Sequence, residues 1–196
     1  METDNFRQAC ILFETLNSRG KELEVKDLLK NYFFRNARNI DSVKEKWMTM
    51  TSEFSSIKSA DISKFFRYYW NASHEFVRSK TLFRAISYEL GDDADEFLKH
   101  MFNSYQNYLY LVYPRTNDFI DQKSVECLKT TGGLGATSFY PIILAACAKN
   151  ASKEDISKIL NAIECLIVRN QAIMGYVANK NETEFSKIAL ETPMMN

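Results

Sequence analysis

Residues 13–31 bring together polar side chains that can handle anions and metal ions. Those in and beside the central turn are Glu14, Asn17, Ser18, Arg19 and Lys21. Glu14 and Asn17 are three residues apart, so a helix would place them on one face. Gly20 can adopt the positive φ that a tight turn often needs. Carboxylate and amide oxygens are ligands for hard metal ions, and an arginine can bind a phosphate through two hydrogen bonds.

Two apolar patterns flank this turn and predict a helix on each side of it. The first uses Phe6, Ala9, Cys10, Phe13 and Leu16, which repeat at helical spacing. The second starts near Val25 and uses Leu28, Leu29, Tyr32 and Phe33. The stretch therefore predicts a helix, a tight polar turn and a second helix.

The same stretch resembles the helix-turn-helix signature of the GmrS-like domain in GmrSD-type modification-dependent restriction systems. That signature reads close to F-E-x-L-N-x-R-G-x-x-L-x-x-x-D-L-L-K-N. The matching residues here are Phe13, Glu14, Leu16, Asn17, Arg19, Gly20, Leu23, Asp27, Leu28, Leu29, Lys30 and Asn31. Weaker resemblances lie at residues 138–145 and around Arg169, where the family often has paired arginines and this chain has Arg169 followed by Asn170.

The resemblance implies a nucleotide-phosphate site. In ParB-like proteins, which this family resembles, such a segment supplies side chains to phosphates and their Mg²⁺. Glu14 and Asn17 would then help hold the metal and phosphate, and Arg19 would contact phosphate oxygens. The candidate phosphate-binding residues are Glu14, Asn17, Ser18, Arg19 and Gly20, and the candidate supporting residues are Asp27, Lys30, Asn31 and Arg169.

Two motifs of full-length members are absent from these 196 residues. One is the upstream Asp-Gly-Gln-Gln-Arg run of the ParB-like α/β portion, and the other is the HNH-type nuclease segment. We therefore expect a fragment of a larger protein that has no cofactor and no enzymatic activity by itself. NTP with Mg²⁺ would bind the full-length protein. The expected partners are the remainder of the chain or a nuclease subunit, with DNA reached through the full-length protein.

Other functions fit the same residues. Asn17 and Gly20 can simply shape the turn, Asp27 can favour the start of a helix, and Glu14 can pair with Arg19. The chain would then be an α-helical interaction scaffold without ligand chemistry. A DNA-contacting helical domain is the third alternative. It requires one basic face drawn from Arg35, Arg38, Lys44, Lys46, Lys64, Arg67 and Arg78.

Composition indicates a folded domain without a global charge bias. Hydrophobic residues make up 45% and aromatic residues 13%, and 25 basic residues balance 25 acidic ones. This balance disfavours a surface that coats phosphates. The four cysteines stand apart from one another, which disfavours a zinc site and suggests buried thiols in a reducing compartment. No apolar run reaches the length of a membrane span, and we expect a cytoplasmic protein without membrane contact.

Few prolines and glycines, with helical apolar spacing nearly throughout, predict an all-α bundle of about eight to ten helices. Residues 1–196 would form a single helical domain, or two sub-bundles (1–130 and 136–196) joined by the loop from Gly132 to Gly135. We expect a helix over 118–129, a glycine-rich connector over 130–137, and a buried helix over 139–148.

Several side chains carry more local expectations. Asp41 and Ser152 are candidate N-caps, either Ser59 or Asp61 can open the helix that follows, and Ser138 can cap the buried helix. Gly91 can close a helix over 81–90 as its C-terminal cap. Asp93 with Glu96 resembles a capping box. The aromatic cluster at residues 65–70 could stack on bases, but core packing is the better interpretation, since large aromatic side chains are mostly buried.

Overall fold

The computed structural model describes residues 24–91, 94–170 and 181–191 of the chain. These residues contain nine α-helices and no β-strand. The helices are α1 (Val25–Asn36), α2 (Ile40–Ser56), α3 (Ile62–Asn71), α4 (Ser79–Leu90), α5 (Asp95–Val112), α6 (Gln122–Gly133), α7 (Tyr140–Ala148), α8 (Lys153–Val168) and α9 (Glu182–Glu191). The predicted all-α, multi-helix fold is confirmed.

Several predicted helix ends are confirmed by their hydrogen bonds or backbone angles. The Asp61 carboxylate accepts the backbone N–H groups of Ser63 and Lys64, at 2.9 and 3.1 Å, and so caps α3. The Ser152 hydroxyl accepts the N–H of Asp155 at 3.1 Å and caps α8. Helix α4 is followed by Gly91, whose φ of 54° suits a residue without a Cβ.

Two predicted N-caps are wrong, and one lies outside the described residues. Helix α2 begins at Ile40 because Asn39 caps it, accepting the Ser42 N–H at 3.0 Å, so Asp41 lies within the first turn. No side chain caps α7, because Phe139 rather than Ser138 occupies its N-cap position. Asp93, the expected capping-box residue of α5, is not among the described residues.

The helix predicted over 118–129 is shifted toward the carboxyl end. The Asn117 side chain accepts the N–H groups of Phe119 and Ile120, at 2.8 and 2.7 Å, and holds them in a turn. Helix α6 therefore starts only at Gln122 and continues through Gly133. Part of the expected glycine-rich connector is thus the last turn of α6, and the chain reverses at Gly135, where φ is 70°.

Helix α7 lies at the centre of the packing, as its nearly continuous apolar sequence predicts. Its residues from Tyr140 to Ala146 are all buried, and it contacts α3, α5, α8 and α9. A helix that is apolar on all sides needs neighbours on all sides. Around it, α1 packs against α2, α3 and α4, while α6 packs against α8. The buried side chains form one cluster that extends from α1 to α9.

The aromatic cluster of α3 belongs to the core, as predicted. Phe65 and Phe66 are fully buried, and Phe66 stacks on Trp47 of α2 with ring centres 5.7 Å apart. Trp70 is buried as well, and the His74 ring stacks on it at 3.8 Å just beyond the end of α3. These contacts fix α2 against α3 and leave the cluster unavailable for stacking on bases.

Candidate functional site: a lysine-lined groove between α1, α2 and α3

The five candidate phosphate-binding residues, Glu14, Asn17, Ser18, Arg19 and Gly20, lie outside the described residues. Of the four supporting residues, Asp27, Lys30 and Asn31 belong to α1, and Arg169 directly follows α8.

Asp27 and Lys30 line a groove of about 1060 Å³ between α1, α2 and the first turn of α3. Glu24, the first described residue, also lines it. Asp27 lies in the first turn of α1, where a carboxylate complements the helix dipole. Lys30 is exposed one turn later, with its Nζ 5.6 Å from the centre of the Phe34 ring.

The floor of the groove is apolar and firmly held. Trp47 is only 5% exposed, and its ring meets that of Phe34 edge to face at 5.9 Å. Phe34 is half-buried, whereas Met48 is 70% exposed. Because Trp47 also stacks on Phe66, the floor is continuous with the core.

The rim of the groove is rich in ammonium groups. Five lysines line it (Lys26, Lys30, Lys44, Lys58 and Lys64) together with three carboxylates (Glu24, Asp27 and Asp61).

Two of the eight charged groups neutralise each other. Lys26 pairs with Glu24 at 2.7 Å, and this hydrogen bond raises the pKa of Lys26 above its ordinary value. In the described part of the chain, no carboxylate forms an ion pair with Lys44, Lys58 or Lys64. After this pair is set aside, four exposed lysines (Lys30, Lys44, Lys58 and Lys64) and two carboxylates (Asp27 and Asp61) line the groove. This excess of positive charge above an apolar floor suits a ligand with negative charge.

The groove lysines beyond the signature come from three separate parts of the fold. Lys44 lies in α2, Lys58 in the link between α2 and α3, and Lys64 in the first turn of α3. No single helix carries all three, so their spacing in the sequence does not reveal that they lie together. Sequence reasoning missed Lys58 altogether, and it placed Lys44 and Lys64 only in the DNA-contacting alternative.

Asn31 and Arg169 lie elsewhere. Asn31 is exposed on α1 but does not line the groove. Arg169 is exposed at the end of α8, where its backbone N–H donates to the carbonyls of Cys165 and Leu166. Helix α8 packs against α6 and α7, and no residue of it lines the groove. The structure thus groups Asp27 with Lys30 and places Arg169 outside that group.

The basic face that the DNA-contacting alternative requires is interrupted. Arg67 forms an ion pair with Glu182 and its side chain is only 14% exposed. Arg38 pairs through Nε with Asp95 at 3.2 Å. Lys44 and Lys64 remain exposed, but they face the groove.

The described cysteines differ in exposure. Cys127 is buried, and its Sγ lies 3.0 Å from Glu164 Oε2. Burial and then the Glu164 carboxylate raise the pKa of the Cys127 thiol to about 12, so it stays protonated and is not a nucleophile. Cys147 is half-buried. Cys165 is exposed, so the expectation of burial is wrong for this residue.

A second cleft, of about 860 Å³, contains both histidines of the sequence, His74 and His100. His100 lies 3.7 Å from the Glu96 carboxylate. Within residues 24–91, 94–170 and 181–191, no three His, Cys, Asp or Glu side chains gather closely enough to hold a metal ion. This cleft therefore offers no metal centre among the described residues.

None of the described helices is long and apolar enough to cross a bilayer. Comparison of the chain with family models, with curated proteins and with solved structures finds no match. The candidate site is therefore defined by its own geometry.

Proposed function

We propose that this chain is the helical module of a GmrS-like restriction or defence protein. Its groove and the turn within residues 13–31 would contribute to an NTP-phosphate site that an upstream domain completes. NTP with Mg²⁺ would be a ligand of the full-length protein. The partner would be the remainder of the chain or a nuclease subunit, and DNA would be reached through that larger protein.

One observation carries the proposal. Asp27 and Lys30, two residues of the signature, line the same groove as Lys44, Lys58 and Lys64, which have no carboxylate partner among the described residues. Lysine ammonium groups bind phosphate as point charges, while an arginine such as Arg19 adds two directed hydrogen bonds. The groove and the turn would thus supply complementary parts of one phosphate site.

The test is a titration of the isotope-labelled chain with ATP and with GTP, each with Mg²⁺, followed by backbone amide chemical shifts. This readout detects the weak binding expected of half a site. We expect shifts concentrated on α1 and on the link between α2 and α3. They should be at least fivefold smaller in Arg19→Ala and in the double variant Lys44→Ala/Lys58→Ala.

The matched control is the double variant Lys80→Ala/Lys129→Ala. It removes the same charge from exposed positions outside the groove, and its shifts should equal those of the original chain. Shifts that are absent at millimolar nucleotide, or that decline equally in both double variants, would refute a phosphate site in this groove.

An interaction scaffold without ligand chemistry is the second candidate. The observation that favours it is that the exposed Met48 and the half-buried Phe34 line the same groove, because apolar side chains there can bind a partner as well as a base or a sugar. A chain without nucleotide-induced shifts that still buries Met48 against a partner would support this candidate.

A further inference from the structure

We propose that the groove is one half of a longer track that binds single-stranded nucleic acid. The other half is a neighbouring cleft that Lys58, Ser59, Tyr113 and Arg115 help to line, here called the Arg115 cleft. This inference goes beyond the proposed function, which uses only the groove, and it holds whether or not NTP with Mg²⁺ binds there.

Continuity of the two cavities is the first argument. The Arg115 cleft has a volume of about 860 Å³ and lies between the carboxyl ends of α2 and α5 and the link from α2 to α3. Lys58 and Ser59, which belong to that link, line both this cleft and the groove. One linear ligand can therefore occupy both cavities by passing over the link.

The charges of the Arg115 cleft are the second argument. Arg115 is exposed, and within the described part of the chain no carboxylate forms an ion pair with it. Its guanidinium lies 4.9 Å from the centre of the Tyr110 ring, a contact that helps to orient it. Glu53 also lines the cleft, but its carboxylate oxygens accept hydrogen bonds from Tyr105 Oη and Gln106 Nε2. These donors on α5 offset part of its charge.

The positive charges continue through both cavities. With the Lys26–Glu24 pair set aside, three carboxylates and five exposed cations line the track, the cations being Lys30, Lys44, Lys58, Lys64 and Arg115. A row of cations along a groove suits a ligand whose negative charges are also arranged in a row.

Apolar faces between these charges are the third argument. Tyr113 is 57% exposed in the Arg115 cleft, and Met48 is 70% exposed in the groove. A polyanion without bases needs only the cations. Proteins that bind single strands combine a basic groove with side chains on which bases stack, and exposed Tyr113 can serve in this way.

A single strand fits this surface better than a duplex does. The bases of a duplex are stacked on one another in its interior, so their faces cannot reach Tyr113. A duplex also favours a broad basic face, and Arg38 and Arg67 are withdrawn from such a face by their ion pairs.

The geometry of α2 sets the length of strand. Lys44 lines the groove and Ser56 lines the Arg115 cleft, and they are 12 residues apart on this one helix. That separation corresponds to about 18 Å along the helix axis. At about 3.4 Å per nucleotide, a strand of about five or six nucleotides spans it.

Fluorescence anisotropy with labelled oligothymidylates at low salt tests the inference on the full chain. We expect affinity to rise about tenfold or more between about two and about six nucleotides, and to change little beyond about eight, because the track is then filled.

The variant Lys58→Ala/Arg115→Ala should weaken binding of the longer strands about fivefold or more. It should also lower the slope of log affinity against log salt by about 1.4, since each phosphate contact on a single strand contributes about 0.7. The matched control is Arg84→Ala/Lys129→Ala, which removes the same charges from exposed positions that line neither cavity. Its affinity and salt slope should equal those of the original chain.

Tyr113→Ala tests the stacking side chain and should weaken binding about fivefold or more. Tyr88→Ala, at a position that is 88% exposed and lines neither cavity, should leave binding unchanged. The four side chains of the two double variants and both tyrosines are exposed, so all of these chains should fold, which circular dichroism verifies.

Four results would overturn the inference: no binding at low salt, equal affinity for the short and the long strands, equal weakening in the two double variants, or equal affinity for an annealed duplex. Tighter binding of a polyglutamate peptide of matched charge would overturn it too, because the occupant would then be an acidic peptide.

The two proposals can fail separately. Tyr113 does not line the groove, so Tyr113→Ala should retain the ATP-induced amide shifts while it loses strand affinity. A chain that shows those shifts but binds no strand refutes only this inference. A chain that binds the strand without ATP-induced shifts refutes only the proposed function.

Discussion

Arg67 in α3 forms an ion pair with Glu182, the first residue of α9, and their side chains are only 14% and 23% exposed. The Arg67 guanidinium also lies 4.9 Å from the centre of the Tyr68 ring. Tyr68 in turn places its hydroxyl 2.8 Å from that of Thr137, beyond the end of α6. One arginine therefore helps to join three parts of the fold that are distant in sequence.

Replacing this arginine should destabilise the chain. Arg67→Met keeps much of the side-chain volume but leaves the largely buried Glu182 carboxylate without its partner. We expect a loss of about 1–3 kcal/mol in the free energy of unfolding, below the cost of breaking a fully buried pair. Urea denaturation followed by circular dichroism measures it.

Lys158→Met provides the control for that measurement. Lys158 pairs with Glu154 one helical turn away, but both side chains are mostly exposed. We expect no measurable change in the free energy of unfolding, as for many exposed pairs on a helix. Equal losses in the two variants would show that the Arg67–Glu182 pair does not hold α9 in place.

Truncating the aromatic core should have the largest effect. Phe66 is fully buried and contacts Trp47 and Phe33, with ring centres 5.7 and 6.4 Å away. Phe66→Ala leaves a cavity, and we expect about 3–5 kcal/mol of destabilisation in urea or thermal unfolding. Tyr88→Ala, at an exposed position, should stay within about 0.5 kcal/mol. Similar losses in both would contradict the assigned core.

The start of α3 offers a smaller and more local test. Asp61→Ala removes the acceptor for the N–H groups of Ser63 and Lys64, so we expect a loss of about 1 kcal/mol. Asp61→Asn retains an acceptor oxygen and should preserve most of the stability. If both variants are equally unstable, the charge of Asp61 matters more than its role as a cap.

The thiols should differ in reactivity. Burial raises the pKa values of Cys127 and Cys147 to about 12, and Glu164 adds to the effect at Cys127. Cys165 is exposed. In a maleimide reaction at about pH 8, near the ordinary thiol pKa, we expect rapid labelling of Cys165 and protection of the other two until the chain unfolds. Peptide mass spectrometry checks this, and rapid labelling of Cys127 would contradict its placement.

The same two thiols predict a loss of stability in alkali. A raised pKa in the folded state means that the folded chain holds these protons more tightly than the unfolded chain. The resulting stability is fully present below the ordinary thiol pKa, near about 8.5, and is lost as pH rises toward the folded value. Between about pH 8 and about pH 10, unfolding free energy should therefore fall more steeply than in Cys127→Ala/Cys147→Ala. If unfolding free energy falls equally with pH in the original chain and in the double variant, these thiols do not cause the loss of stability in alkali.

The sequence by itself determined the fold class and much of the helix placement. Apolar residues at helical spacing predicted the buried face of α1, and the continuous apolar run of α7 predicted its central position. Short-range hydrogen bonds made Asp61 and Ser152 recognisable as caps, because a cap bonds to residues two or three positions away. Where two acceptors competed, as Asn39 did with Asp41, pattern reasoning chose the wrong one.

Only the tertiary structure decided which charged groups lie together. Lys44, Lys58 and Lys64 share a groove with Asp27 and Lys30 because α1, α2 and α3 pack around the aromatic core, and no spacing in the sequence encodes that packing. Likewise, Arg67 forms an ion pair with Glu182, which is 115 positions away in the sequence. This pairing removes Arg67 from the exposed basic face that the DNA-contacting alternative requires. Helical periodicity reports which side of one helix is buried, whereas the neighbours of a charged side chain depend on how separate helices meet.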